Sequence, residues 1–229
     1  MKLILLVFTY TSLLFSIEIF DVTNNTAKIN ITNVAIGNSG IIIREIENNS
    51  IIVTQAVVSK SNNINSTITF IEKEILPQDA IPTTKIKPRS GDMFILNHLY
   101  KTSLLIVPNL SAKKNLLKLY PNQNFLNEDF FAAHLKLTNS PLPSKKIISD
   151  FAQSQQIGTI FIVVKNKLYI VDSISFKIIS SIDLQYQDTT TNIPFLTKVT
   201  DIKTGLWSFG DDKITNYNKY YLNLLEINE

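Results

Sequence analysis

The sequence predicts an α+β protein: a small N-terminal β-barrel or β-sandwich over residues 17–100, followed by an α/β sheet-and-helix domain over residues 101–229. Two patterns carry that division. Up to about Tyr100, apolar residues alternate with polar ones or gather in short β-branched runs bounded by turn residues. From Lys101 onward, apolar runs alternate with segments whose apolar residues recur at helical spacing. A third observation bounds both: 45% of the 229 residues are hydrophobic, enough for a packed core.

Each element follows in order. "MKLILLVFTYTSLLFS" has Lys2, an apolar stretch from Leu3 to Phe15, and then Ser16. That is the pattern of a secretory signal, with removal expected near Ser16 and residues 1–16 lost. It is shorter than the roughly 20 apolar residues that span a bilayer. Ile17 to Asp21 alternates as a strand, and Ala27, Ile29 and Ile31 alternate as another. Gly40 precedes "IIIREI", and Asn48-Asn49-Ser50 turns it into "IIVTQAVVSK", a hairpin. "STITFIEKEIL" is a further strand, and "PQDAIPTTKIKP", with three prolines, is a surface loop. In "RSGDMFILNHLY", Gly91-Asp92 is a turn and a strand carrying His98 follows.

In the second part, "SLLIVPN" is a buried strand. Ser111 is expected to cap the helix "AKKNLLKLY", Asn127 the helix "EDFFAAHLKL", and Ser144 the helix "KKIISDFAQSQQ". "IGTIFIVVKNKLYIVDSISFKIISSIDL" is a three-stranded meander, with Asp172 starting a turn toward Ser175. No second copy of its "LYIVDSISFKII" half exists, so a β-propeller is excluded. "FLTKVTDI" is expected as a strand, and Asp211 or Asp212 as the cap of a final helix carrying Ile214, Tyr217, Tyr221, Leu224 and Leu225 on one stripe.

The chemistry-bearing residues are sparse. The absence of cysteine excludes disulfides, thiolate metal sites and cysteine nucleophiles. A net charge of +3 is too weak for a nucleic-acid binder. His98 and His134 lack sequence neighbours that would complete a metal site, and no nucleophile elbow, P-loop or dinucleotide fingerprint occurs. No cofactor, metal or enzymatic activity is expected. Of the 22 basic residues only Arg44 and Arg89 are arginines. The lysines cluster twice: Lys113, Lys114 and Lys118 in one helix, and Lys145 with Lys146 at the start of another. The second is a helix end that disfavours cations. These five are the candidate ligand-binding residues.

Taken in order, "GIIIREIENNSIIVTQAVV", "PRSGDMFIL", "LLIVPN", "IGTIFIVVKNKLYIVDSISFKII", "IPFLTKV" and a tyrosine-rich final helix resemble the N-terminal domain of a family of bacterial plasminogen-binding surface proteins. The resemblance covers most of the chain beyond Ser16. It implies a non-enzymatic, exported envelope protein in the periplasm, at the outer membrane or on the cell surface, and it implies host plasminogen as partner. Plasminogen's kringle modules hold a lysine side chain beside a carboxylate, and the family's Lys-rich extension supplies both charges at a terminal lysine. The sequence here runs to Asn228-Glu229. Internal lysines near an acid are therefore the expected substitutes, such as Lys146 with Asp150. The alternative is a periplasmic or outer-membrane-associated scaffold that assembles with other envelope proteins and does not itself bind plasminogen.

Overall fold

The computed structural model describes residues 16–47, 49–71, 86–187, 190–200, 202 and 214–227. Its first part is a closed barrel of six strands: β1 (Ser16–Phe20), β2 (Thr26–Ile29), β3 (Ser39–Ile46), β4 (Asn49–Ser61), β5 (Ser66–Ile71) and β6 (Met93–Leu96). They run in the order β1-β2-β5-β4-β3-β6, each antiparallel to its neighbours. The barrel answers the choice the sequence left open between barrel and sandwich. Alternation places Ile19, Ala27, Ile29, Ile42, Ala56, Val58, Ile68 and Phe94 inside, where side chains fill a barrel of this size. Gly40 is required by this closure. A Cβ there would lie 2.3 Å from the Ile95 carbonyl oxygen and 2.7 Å from the Phe94 ring. Register irregularities opposite Ile42/Ile43 and at Val58/Lys60 each leave an extra residue in β4, Val53 and Ser59, and bend that strand around the wall.

The second part is a five-stranded mixed sheet. β7 (Thr102–Ile106), β8 (Asn124–Leu126), β9 (Thr159–Val164), β10 (Lys167–Asp172) and β11 (Ile178–Asp183) stand in the order β11-β10-β9-β7-β8. β7 pairs parallel with both β8 and β9, while β9, β10 and β11 form the antiparallel meander. Every residue of β9 is buried, because helices cover both faces. On one face α1 (Leu110–Leu119) brings Ala112 and Leu116 onto Leu105, Val107, Phe161, Val163 and Leu168. On the other, α2 (Glu128–Leu137), α3 (Lys145–Ser154) and α4 (Tyr217–Leu224) bury Phe131, Leu135, Ile148, Phe151, Tyr217 and Tyr221 against Leu104, Ile106, Ile160 and Ile162. Burying an aliphatic or aromatic side chain stabilises the fold by about 1.5–3 kcal/mol. The buried phenols are satisfied: Tyr217 donates to the Val163 carbonyl at 2.8 Å and Tyr221 to that of Pro194 at 2.9 Å.

Asn127 and Ser144 cap α2 and α3 as expected. Four expectations are corrected. The cap of α1 is Asn109, whose side chain accepts from the Ala112 amide at 2.9 Å. Ser111 instead accepts from the Gln187 amide at 3.0 Å. Residues 195–200 form no strand. Asp129 takes the Thr197 hydroxyl at 2.5 Å and the Lys198 amide at 2.8 Å, and Lys136 donates to the Thr200 carbonyl at 2.9 Å, so α2 rather than a sheet edge holds that segment. His98 lies in the turn after β6, not in the strand. Ile214 precedes α4, which starts at Tyr217 under an Asn216 cap; Asp211 and Asp212 lie outside the described residues. β8, three residues long, has no counterpart in the sequence reading.

Candidate functional site

The five candidate lysines do not form one site. Lys113, Lys114 and Lys118 belong to α1 on one face of the sheet, and Lys145 and Lys146 to α3 on the other. Two of them serve the fold. Lys113 reaches the nearly buried Glu128 at 2.5 Å and ties α1 to the first turn of α2. Lys145 pairs with Glu226 beyond α4, holding that carboxyl below its usual range, and lies 5.7 Å from the Phe176 ring centroid. Lys114 and Lys118 are exposed on α1, amid the exposed Leu110, Leu117 and Leu119. Lys146 projects into solvent, with 86% of its side chain exposed, and meets Asp150 at 2.5 Å one helical turn later.

The most heavily bonded acid lies elsewhere, at the joint between barrel and sheet. Asp172 ends β10 and is fully buried. Its Oδ1 accepts from the amides of Ile174 and Ser175 at 2.9 and 2.6 Å, the turn that the sequence implies. Its Oδ2 accepts from the Ser39 amide at 3.1 Å, the Ser39 hydroxyl at 2.5 Å and the Tyr100 hydroxyl at 2.7 Å. Burial and the adjacent carboxylate push the Tyr100 phenol far above its ordinary value, so it stays a neutral donor. Ser175 donates to the Gly37 carbonyl at 2.7 Å, a second strut to the barrel. Gly158 completes the joint: its amide reaches the Leu99 and Thr102 carbonyls at 3.1 Å, and a Cβ there would stand 2.3 Å from the Leu99 carbonyl carbon. With its oxygens taken up and water excluded, Asp172 fastens rather than catalyses. His98 lines the same joint, and burial lowers its pKa from the usual 6.5.

Sequence reasoning found the turn at Asp172 but not the second half of its role, because Ser39 lies 133 residues away. Among the described residues no cluster of His, Asp or Glu stands close enough to hold a metal ion. Among them, too, no helix is long and apolar enough to cross a membrane.

Comparison with known proteins places these features. The family described as "Plasminogen-binding protein pgbA N-terminal" matches residues 14–225. Two curated relatives are each named plasminogen-binding protein PgbA, from Helicobacter pylori strains ATCC 700392 / 26695 and J99 / ATCC 700824. Each is 24% identical over 209 residues, covering 90% of this chain and 46% of the relative. The chain thus spans less than half the length of either. No solved structure matches.

Proposed function

The chain belongs to the plasminogen-binding protein pgbA N-terminal family, and from that premise we propose that it is an exported, non-enzymatic binding module of the bacterial envelope that captures plasminogen through surface lysines. The observation that carries the reading is the Lys146–Asp150 pair. A cation and an anion stand together on an exposed helix face, the charge arrangement that a lysine-recognising pocket accepts. Lys114 and Lys118 are the secondary candidates, being exposed and set among exposed leucines. Lys113 and Lys145 are assigned to the fold. Residues 1–16 are proposed as the export signal, removed near Ser16, where β1 begins.

The test is binding of purified residues 17–229 to immobilised plasminogen, with and without a free lysine analogue. Saturable binding that the analogue abolishes, and that Lys146→Gln weakens by about tenfold, supports capture. About 1.4 kcal/mol corresponds to that factor. Lys113→Gln is expected to leave affinity unchanged. Binding indifferent to the analogue removes the lysine mechanism. The second reading, an envelope scaffold, is favoured by the buried joint, which fixes a barrel and a sheet rigidly together. Protease accessibility of the protein on intact cells separates the two, since a host ligand cannot reach a protein confined to the periplasm.

A further inference from the structure

A cleft of about 360 Å³ opens on the barrel, walled by residues 22–24 of the β1–β2 turn and residues 87–90 ahead of β6. None of these residues belongs to the joint or to the lysine-bearing helices. Both walls are held in place. Thr23 accepts from the Asn25 and Thr26 amides at 3.4 and 3.0 Å, which shapes the turn. Opposite, the Arg89 amide donates to Asp92 at 2.9 Å, and Gly91 and Asp92 pair with Ile19 of β1.

The charge balance points to an anion. Asp92 is buried and already taken by Arg44, whose Nε and Nη2 reach its two oxygens at 2.7 and 2.8 Å. That pair holds the Asp92 carboxyl below its usual range even though burial alone would raise it. Arg89 is therefore surplus to the buried carboxylate. Its Nε stands 4.0 Å from Asp92 and its side chain is 71% exposed at the cleft. Lys87 lies beside it, and among the described residues that line the cleft none is acidic. In a chain whose other basic side chains are lysines, both arginines converge on this one corner. A guanidinium fork, an ammonium, the Ser90 hydroxyl and the Asn24 amide suit an anion with oxygens pointing several ways. The volume exceeds a bare ion and falls in the range of small-ligand sites. Val22 and Pro88 give it an apolar wall.

We propose that this cleft binds the phosphate group of a phosphate ester, with Arg89 and Lys87 as its cationic contacts. The two arginines supply their own probe, because a ¹⁵N-labelled chain shows two arginine Nε–H signals. Inorganic phosphate and glycerol 3-phosphate would be titrated into the full chain, with acetate as control at constant ionic strength. The expected result is a saturable shift of the Arg89 signal with both phosphates, tighter for the ester, while the Arg44 signal stays in place. Arg89→Gln, read from the backbone amide signals of residues 22–24, 87, 89 and 90 in the same spectra, is expected to weaken binding at least about tenfold, with Arg44 Nε–H unmoved as the sign of an intact Asp92 fork. Should that variant disturb Arg44, Lys87→Gln gives the same reading. Co-sedimentation with phosphatidylglycerol vesicles but not phosphatidylcholine vesicles, lost in the variant, would identify a lipid headgroup as the source. Binding of the soluble ester alone would identify a free one. The proposal is overturned if neither phosphate saturates, if acetate shifts Arg89 equally, or if the variants bind like the parent chain.

Discussion

Replacing Asp172 by alanine would take their carboxylate acceptor from three main-chain amides and two hydroxyls at the joint. The expected loss of stability is about 3–5 kcal/mol by urea unfolding, the range for breaking a buried polar network. Asp172→Asn keeps the shape but turns an N–H toward one set of donors, so its cost is expected to be smaller, about 1–3 kcal/mol. His98 makes a pH-dependent contribution at the same joint. Burial lowers its folded pKa below the usual 6.5. As pH falls from 7 toward 5 the unfolded chain takes up the proton and the folded chain resists it, so stability declines across that window. His98→Gln should flatten stability between pH 7 and 5, measured as urea midpoints. At this scale the candidate site was only partly legible. Lysine identity and spacing are visible in a sequence, but engagement is not. Lys113 and Lys146 look alike until Glu128, fifteen residues on, claims one of them.

Helix α1 shows where element-level signals compete. Asn109 and Ser111 are both good caps, two residues apart, and sequence alone does not rank them. Asn109→Ala is expected to cost about 1–2 kcal/mol, and Ser111→Ala less, since it loses only the Gln187 contact. Equal losses in the two variants' unfolding curves would contradict the assigned cap. In the barrel, Gly40→Ala forces a Cβ onto the Ile95 carbonyl, which is backbone and cannot step aside. A drop in thermal midpoint of well over 10 °C, or failure to fold, is expected by calorimetry. The meander was legible because β9 is buried on both faces and reads as one apolar run, "TIFIVV". β8 was not, because three residues give no period to read. Residues 195–200 mislead because Phe195 and Leu196 are apolar for packing against helices: the Phe195 ring stacks on Phe131 with centroids 5.5 Å apart.

For the molecule as a whole, the joint predicts cooperativity. Barrel and sheet share Asp172, Ser39, Tyr100, Ser175 and Gly37, so fluorescence and circular dichroism should report one coincident unfolding transition. The triple variant Ser39→Ala, Tyr100→Phe and Ser175→Ala removes the three hydroxyl struts and is expected to separate the transition into two. The order of barrel then sheet was legible from the change of period near Tyr100. Closure was not, because β1 and β6 pair across a long stretch of chain and no local pattern records it. That closure also sets a clock. The first strand of the barrel finds its second neighbour only when Met93 to Ile95 exist, about 80 residues after Ser16. At roughly 5–20 residues per second of synthesis, β1 waits several seconds as an open edge. Throughout that interval the chain behind the proposed export signal has no closed barrel to obstruct its passage through a narrow translocation pore.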